Sequence, residues 1–144
     1  MTILAERLKL LRSKAGISQS QAGEIIGVQF QTYQKYEYGQ AEPTHENLIA
    51  FALYYETSID YLTGNTDKEK TKLQQVSQFT LRLKELRRKT KIYQKELAKE
   101  IGVSERTYRR YEAGDTCPNI DTLCKLAAFY GVSVDYLVGL DVAE

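Results

Sequence analysis

The chain is an internal duplication. Residues 7–64 align with residues 82–139 without a gap at an offset of 75, and 25 of the 58 aligned positions are identical. The only two prolines of the sequence, Pro43 and Pro118, are equivalent in this alignment. A unit of about 60 residues is just large enough to fold alone. The repeat therefore predicts two small domains instead of one larger domain.

The composition changes between the two copies. Residues 65–78 are polar and charged and contain no aromatic side chain. Such a stretch is typical of a linker, and it would span roughly 45 Å if fully extended. We predict an N-terminal domain at 1–66, a linker at 67–76 that is partly helical towards its C-terminal end, and a C-terminal domain at 77–144.

Each copy shows helical periodicity. Apolar residues recur at spacings of three and four, and no segment alternates convincingly as a strand. Most of the predicted helices follow a side chain that can cap a helix N-terminus. These capping residues are Thr2 and Ser77, Ser18, Ser104, Thr44 and Asn119, and Ser58 and Ser133. The pattern predicts an all-α fold with five helices in each domain.

Left-handed backbone is predicted where several of these helices end. Gly27 and Gly102 follow the second helices, where the chain needs a positive φ. Gly131 follows the fourth helix of the second copy, but Glu56 stands at the equivalent position of the first. A left-handed glutamate would cost roughly 1 kcal/mol.

Residues 19–37, repeated as residues 94–112, have the pattern of a helix-turn-helix. A small residue, Gly23 or Ala98, lies where the two helices would cross closely, and a glycine forms the turn. The apolar anchors behind the turn are Val28, Tyr33 and Tyr36 in the first copy and Val103, Tyr108 and Tyr111 in the second. The other side chains of the second helix of the motif then face outwards and can enter a DNA major groove.

Both copies resemble the phage-repressor and Cro family of helix-turn-helix domains, also called the XRE family. The shared elements are Arg-Leu-Lys-x-Leu-Arg, a glutamine that begins the second helix, Gly-Val at the turn, Tyr-Glu-x-Gly, a proline and Ser-x-Asp-Tyr-Leu-x-Gly. The resemblance implies two tandem five-helix lambda-repressor-like domains. It also implies a sequence-specific DNA-binding transcriptional regulator of repressor type, from a bacterium, phage or mobile element, with recognition helices at about 29–38 and 104–113.

The resemblance also implies which residues contact DNA. Gln19 and Gln94 resemble the family's glutamine that binds a DNA phosphate and braces the recognition helix. The base-reading positions that it implies are Gln29, Phe30, Gln31, Gln34 and Lys35 in the first copy, and Ser104, Glu105, Arg106, Arg109 and Arg110 in the second. Glutamine can pair with adenine, arginine with guanine and glutamate with cytosine.

Two further pairs resemble a structural ion pair of the family, between the first helix and the end of the third. They are Arg12 with Glu37, and Arg87 with Glu112. We expect them to hold the recognition helices in place.

Net charge differs between the copies: it is −2 for residues 1–66 and +2 for residues 81–144. Our leading hypothesis is that both domains bind double-stranded DNA at two unlike half-sites, or at an inverted pair of sites if the protein forms a homodimer. The alternative is that the C-terminal repeat alone binds DNA. The N-terminal repeat would then dimerise or bind a protein inducer or antirepressor through Phe30 and Tyr38. An antitoxin that binds a toxin and its own operator is a third hypothesis.

Enzyme chemistry has almost no support in this sequence. His45 is the only histidine and is expected to be solvated, and Cys124 is expected to be a small core residue. Two cysteines without nearby histidines predict no metal site, and no glycine-rich phosphate loop or nucleophile elbow is present. We therefore expect no enzymatic activity and no cofactor. Because no apolar run is long enough for a membrane span, we expect a cytoplasmic protein.

Overall fold

A computed structural model describes residues 2–143. Two compact units emerge from the contacts between residues. One unit covers the chain up to Leu73 together with the residues from Val142 onwards, and the other covers Gln74–Asp141. The prediction of two tandem all-α units is confirmed.

Each unit contains five of the helices in the described part of the chain. In the N-terminal unit they are α1 (Ile3–Ala15), α2 (Gln19–Ile26), α3 (Phe30–Glu37), α4 (His45–Tyr54) and α5 (Ile59–Leu62). In the C-terminal unit they are α6 (Phe79–Thr90), α7 (Gln94–Ile101), α8 (Glu105–Ala113), α9 (Ile120–Tyr130) and α10 (Val134–Leu137). Two short strands, β1 (Leu73–Gln75) and β2 (Leu140–Val142), pair as a two-stranded sheet.

The predicted helix caps are present with one exception. Ser18 and Gln21 form a complete capping box at the start of α2, and seven of the eight predicted capping side chains accept a backbone N–H at a helix start. The prediction of Ser77 was wrong, because α6 begins one residue later and Gln78 occupies the capping position. The backbone N–H of Ser77 instead donates to the carbonyl oxygen of Gly139 at 3.1 Å. This hydrogen bond holds Ser77 outside the first turn of α6.

Among residues 2–143, two non-glycine residues have a positive φ. Glu56 has the predicted left-handed conformation with a φ of 51°, and Lys91 has a φ of 56°. Lys91 is equivalent to Gly16 of the first copy, just as Glu56 is equivalent to Gly131 of the second. Each copy therefore retains glycine at one of these two helix ends and accepts a strained residue at the other.

Tyrosines and leucines form the core of each unit. Tyr33 and Tyr108 are fully buried, and Tyr36 and Tyr111 are nearly so, as the helical spacing predicted. Tyr33 packs against Phe51 of α4 with ring centroids 6.0 Å apart. The inner face of α3 is thereby anchored to α4, which fixes the direction in which its outer face points.

Two smaller predictions from the sequence need correction. His45, the first residue of α4, is buried and not solvated. Cys124 is only half-buried, so it lies at the edge of the core of its unit, and Cys117 is exposed.

The segment that follows α5 packs against the N-terminal unit. The Arg7 guanidinium donates to the carbonyl oxygens of Tyr61 and Thr66, and its Nη2 atom lies 2.9 Å from the Asp67 carboxylate. Lys14 forms an ion pair with Glu69 at 2.7 Å. Residues 66–69 are therefore ordered against the helices of this unit.

The backbone of the same segment is also tied to the loop after α4. The Thr57 hydroxyl donates to the carbonyl oxygen of Glu69, and the Thr71 N–H donates to the carbonyl oxygen of Glu56 at 3.0 Å. The expectation of a partly helical end was wrong, because residues 73–75 form strand β1. Their backbone groups bond to a partner strand far away in the sequence instead of to one another.

Buried tyrosines predict that stability falls in alkaline solution. Burial raises the pKa of Tyr33 and Tyr108 far above its usual value of about 10, and it raises the pKa of Tyr55 and Tyr130 to about 12. Below pH 10 these phenols are neutral in both the folded and the unfolded chain. Between about pH 10 and 12 the phenols ionise mainly in the unfolded chain, so the free energy of unfolding falls by about 1.4 kcal/mol per pH unit for each tyrosine.

We therefore expect each unit to unfold cooperatively between about pH 10 and 12. Tyrosinate absorbance and far-ultraviolet circular dichroism, followed together, test this expectation. Four of the eleven tyrosines should ionise only as the helical signal is lost. Ionisation of all eleven near pH 10 in a chain that keeps its helices would contradict the buried positions.

Candidate nucleic-acid interface

The same tight turn joins the two helices of the motif in each unit. Gly27 ends α2 with a φ of 77°, and Gly102 ends α7 with a φ of 76°. The N–H of Val28 donates to the carbonyl oxygen of Gly23 at 2.9 Å, as the N–H of Val103 does to Ala98 at 3.0 Å. A Cβ atom on Gly23 would lie 3.1 Å from the carbonyl oxygen of Val28, which explains why only small residues fit there.

The recognition helices α3 and α8 each have one buried and one open face. Both bury two tyrosines and a glutamate towards the core. The predicted base-reading residues lie on the other side. Exposed are Gln29, Phe30, Gln31, Lys35, Ser104, Arg106, Arg109 and Arg110, whereas Gln34 and Glu105 are half-buried. The surface that the sequence assigned to DNA is thus accessible in both units.

A buried carboxylate anchors the recognition helix of the N-terminal unit. Glu37 is 1% exposed, and its two carboxylate oxygens lie 3.0 and 3.1 Å from Nε of Arg12 on α1. Gln19, at the start of α2, donates from Nε2 to the same carboxylate at 2.9 Å. Three helices therefore meet at one hydrogen-bonded group, which fixes α3 relative to α1 and α2.

The same network extends to one of the predicted base-reading positions. Nε2 of Gln34 donates to Oε1 of Gln19 at 3.2 Å. This bond leaves Oε1 and the second N–H of Gln34 for an external partner. The Gln34 amide is therefore held in a defined orientation before any DNA is bound.

The C-terminal unit has the same buried network of arginine, glutamate and glutamine, but it lacks the further hydrogen bond that Gln34 makes in the N-terminal unit. Nε of Arg87 lies 2.8 Å from the Glu112 carboxylate, and Gln94 donates to that carboxylate at 3.1 Å. The hydrogen bond to Glu112 raises the pKa of Arg87. Arg109, the equivalent of Gln34, instead lies 3.3 Å from Glu105 one helical turn earlier. Since both of these side chains are partly exposed, this contact is weak.

Basic residues outside the predicted set also border this surface. Lys84 and Arg88 of α6 line an open groove beside α8, and Lys95 and the 73% exposed Tyr93 line a second one. The sequence carries a signal for two of them. Arg88 and Lys95 replace the neutral residues Ser13 and Ser20 of the first copy.

The described residues offer little for other chemistry. Within residues 2–143, no group of three or more histidine, cysteine, aspartate or glutamate side chains is placed to hold a metal ion. Over the same residues, no helix combines the length and the apolar character that crossing a bilayer requires.

Two exposed recognition helices, each braced by a buried ion pair, define a tandem helix-turn-helix protein. The family model HTH_3, described as helix-turn-helix, matches residues 8–62 and again residues 83–137. These matches cover most of the chain, so the protein belongs to the HTH_3 helix-turn-helix family. Both copies belong to it, in agreement with the resemblance seen in the sequence.

The chain is similar to several bacterial and phage regulators. It is 44% identical over 59 residues to the uncharacterized HTH-type transcriptional regulator YobD of Bacillus subtilis, covering 41% of this chain and 53% of YobD. It is 42% identical over 60 residues to the cryptic phage CTXphi transcriptional repressor RstR of Vibrio cholerae, covering 42% of this chain and 54% of RstR. It is 43% identical over 60 residues to the HTH-type transcriptional regulator ImmR of B. subtilis, covering 42% and 47%.

Each match spans about half the length of the relative. A crystal structure of a transcriptional regulator from Listeria innocua aligns with a TM-score of 0.44 and 33% identity. That alignment covers 48% of this chain and 64% of the other.

Proposed function

We propose that this protein is a sequence-specific DNA-binding transcriptional regulator in which both units insert a recognition helix into a major groove. The observation that carries the proposal is the open polar face of α3 and α8, held from behind by Glu37 and Glu112. Such a face meets two needs of base reading. Its side chains reach outwards, and the helix that carries them cannot rotate.

The two units are proposed to read different bases. Gln34 presents one acceptor and one donor, which is the combination that pairs with the edge of adenine in the major groove. Arg106 and Arg110 project from α8 and suit guanine. Because the two faces differ in this way, a single chain would recognise two unlike half-sites.

Backbone groups and the helix-2 glutamines would position the duplex. The free N–H groups at the starts of α2 and α7 favour a phosphate oxygen there. Gln19 and Gln94 each use one N–H on the buried glutamate and keep a second one for a phosphate. These contacts set register and orientation, while the outer face of α3 and α8 sets sequence preference.

Repression is the sign of regulation that we propose, since RstR is a phage transcriptional repressor. The HTH_3 family matches both copies over equivalent residues, so DNA binding by both units is favoured over an N-terminal unit used only for protein contacts. Two weak half-site contacts on one chain would reinforce each other through the raised effective concentration of the second unit.

The experiment is a measurement of DNA affinity against salt concentration for the full chain. Several phosphate contacts predict a linear fall of the logarithm of the binding constant with the logarithm of salt, with a slope of about −0.9 per contact. A flat response would contradict the phosphate contacts that the proposal requires.

A further inference from the structure

The groove between α6 and α8 of the C-terminal unit is strongly basic. It has a volume of about 470 Å³ and is lined by Lys84, Arg87, Arg88, Gln94, Arg109, Glu112 and Ala113. Four of these side chains are cationic and one is a carboxylate. Since Arg87 and Gln94 already bond to that carboxylate, it does not offset the other cations.

The remaining cations of the groove are available to an anion. Lys84 and Arg88 are exposed, and within residues 2–143 neither forms an ion pair. Arg109 is held only by its exposed contact with Glu105 at 3.3 Å, which an anion can replace at small cost. Three cationic side chains on two helices therefore face one opening.

The equivalent positions of the N-terminal unit lack this character. Ser13 replaces Arg88 and Gln34 replaces Arg109, so that Lys9 remains as the one cation besides Arg12. Gln34 is in addition engaged with Gln19. The basic groove is thus a property of one copy and not of the repeated fold.

We propose that Lys84, Arg88 and Arg109 form an anion site that binds a phosphodiester of the DNA backbone and makes the C-terminal unit the principal anchor of the protein on DNA. This inference rests on the proposed function, because Arg109 belongs both to the groove and to the base-reading face of α8. A duplex seated on α8 brings a strand over the groove. There the arginine forks bind phosphate oxygens in pairs, and the lysine acts as a point charge.

The test compares Lys84→Ala/Arg88→Ala with the wild-type chain for affinity to a selected DNA site, between about 50 and 200 mM salt. The slope of log binding constant against log salt is expected to become shallower by about one to two, with base preference unchanged. The matched control is Lys89→Ala/Lys125→Ala. It removes the same charge from two lysines of this unit that pair with Glu85 and Asp121. Its slope is expected to equal that of the wild type.

Introducing one of these cations into the N-terminal unit should add a phosphate contact there. Ser13→Arg places the equivalent of Arg88 in the N-terminal unit, and it is expected to steepen the slope by nearly one. Equal slopes for Lys84→Ala/Arg88→Ala and its control would overturn the contact between this groove and the DNA backbone, even if the wild-type chain binds DNA as proposed.

Inorganic phosphate tests the groove without DNA. In the wild-type chain, titration at constant ionic strength is expected to shift amide resonances of α6 and α8, and these shifts should be lost in Lys84→Ala/Arg88→Ala. Such shifts in a chain that fails to bind DNA would refute the proposed function and leave an anion site for a free phosphate group. If Lys84→Ala/Arg88→Ala lowers the salt slope but phosphate causes no shifts in the wild-type chain, the site binds the duplex backbone alone. If neither the shifts nor the change in slope is seen, the site does not exist.

Discussion

Arg12→Ala is expected to lower the free energy of unfolding of the N-terminal unit by about 3–5 kcal/mol. Glu37 is 1% exposed and takes two of its hydrogen bonds from Arg12. Removal of the guanidinium leaves a buried carboxylate with Gln19 as its remaining partner in this network. A unit of about 60 residues has little more stability than this, so most of it should unfold under physiological conditions.

Hydrogen exchange resolved by residue measures this loss in the full chain. Amides of α1 to α5 should lose their protection, while those of the C-terminal unit keep it. The matched variant is Arg12→Met/Glu37→Leu, which removes both charges and fills their volume. It should recover much of the lost stability, because replacing a buried ion pair by apolar side chains is often neutral. Equal losses in the single and the double variant would mean that the ion pair is not what holds α1 to α3.

Arg106→Ala/Arg110→Ala is expected to weaken binding to a selected site by at least about 30-fold. Each bidentate contact between arginine and guanine contributes about 1–3 kcal/mol of discrimination, and 1.4 kcal/mol corresponds to a factor of ten. Lys35→Ala should weaken binding much less. It removes one positive charge, the only one on α3, whereas the double variant removes two arginines that can each pair with guanine. Fluorescence anisotropy with a labelled duplex measures both variants.

Arg106→Lys/Arg110→Lys separates charge from shape. It keeps both positive charges but loses the planar fork that pairs with guanine. The salt dependence should stay near that of the wild type, while the preference for the selected site over random DNA falls. If Lys35→Ala proved the more damaging change, the N-terminal unit would contribute more to binding than the C-terminal unit, contrary to this prediction.

Local chemistry made much of this fold predictable. The capping box of Ser18 and Gln21, the turn glycines and the inward tyrosines each depend on residues within one or two helical turns. Where several such local signals agree, the sequence determines the element. The identical spacing of these signals in the second copy then indicated two domains.

Features that depend on distant parts of the chain were not predictable in this way. Ser77 is drawn from its capping position by Gly139, which is 62 residues away in the sequence. The order of residues 66–69 depends on contacts with Arg7 and Lys14, which are 59 and 55 residues from their partners in the sequence. His45 is 9% exposed, although its place in the first turn of a helix predicted a solvated side chain.

Within the candidate interface, the sequence identified positions but not their coupling. The positions of Gln19 and Gln34 were both expected, yet the bond between them depends on how closely α2 and α3 cross. The positions of Glu105 and Arg109 were also expected, but their ion pair was not. This pair orients the Arg109 side chain of the second unit before DNA binds. Orientation of these side chains before binding therefore has to be taken from the structure.

Selection of bound sequences from a random DNA pool tests whether α3 and α8 read DNA bases. The full chain should enrich two unlike short motifs at a fixed spacing. Arg106→Ala/Arg110→Ala should erase one motif, and Gln31→Ala/Gln34→Ala should erase the other. A pool that shows no enrichment, or an enriched motif that survives both pairs of substitutions, would contradict DNA reading by α3 and α8.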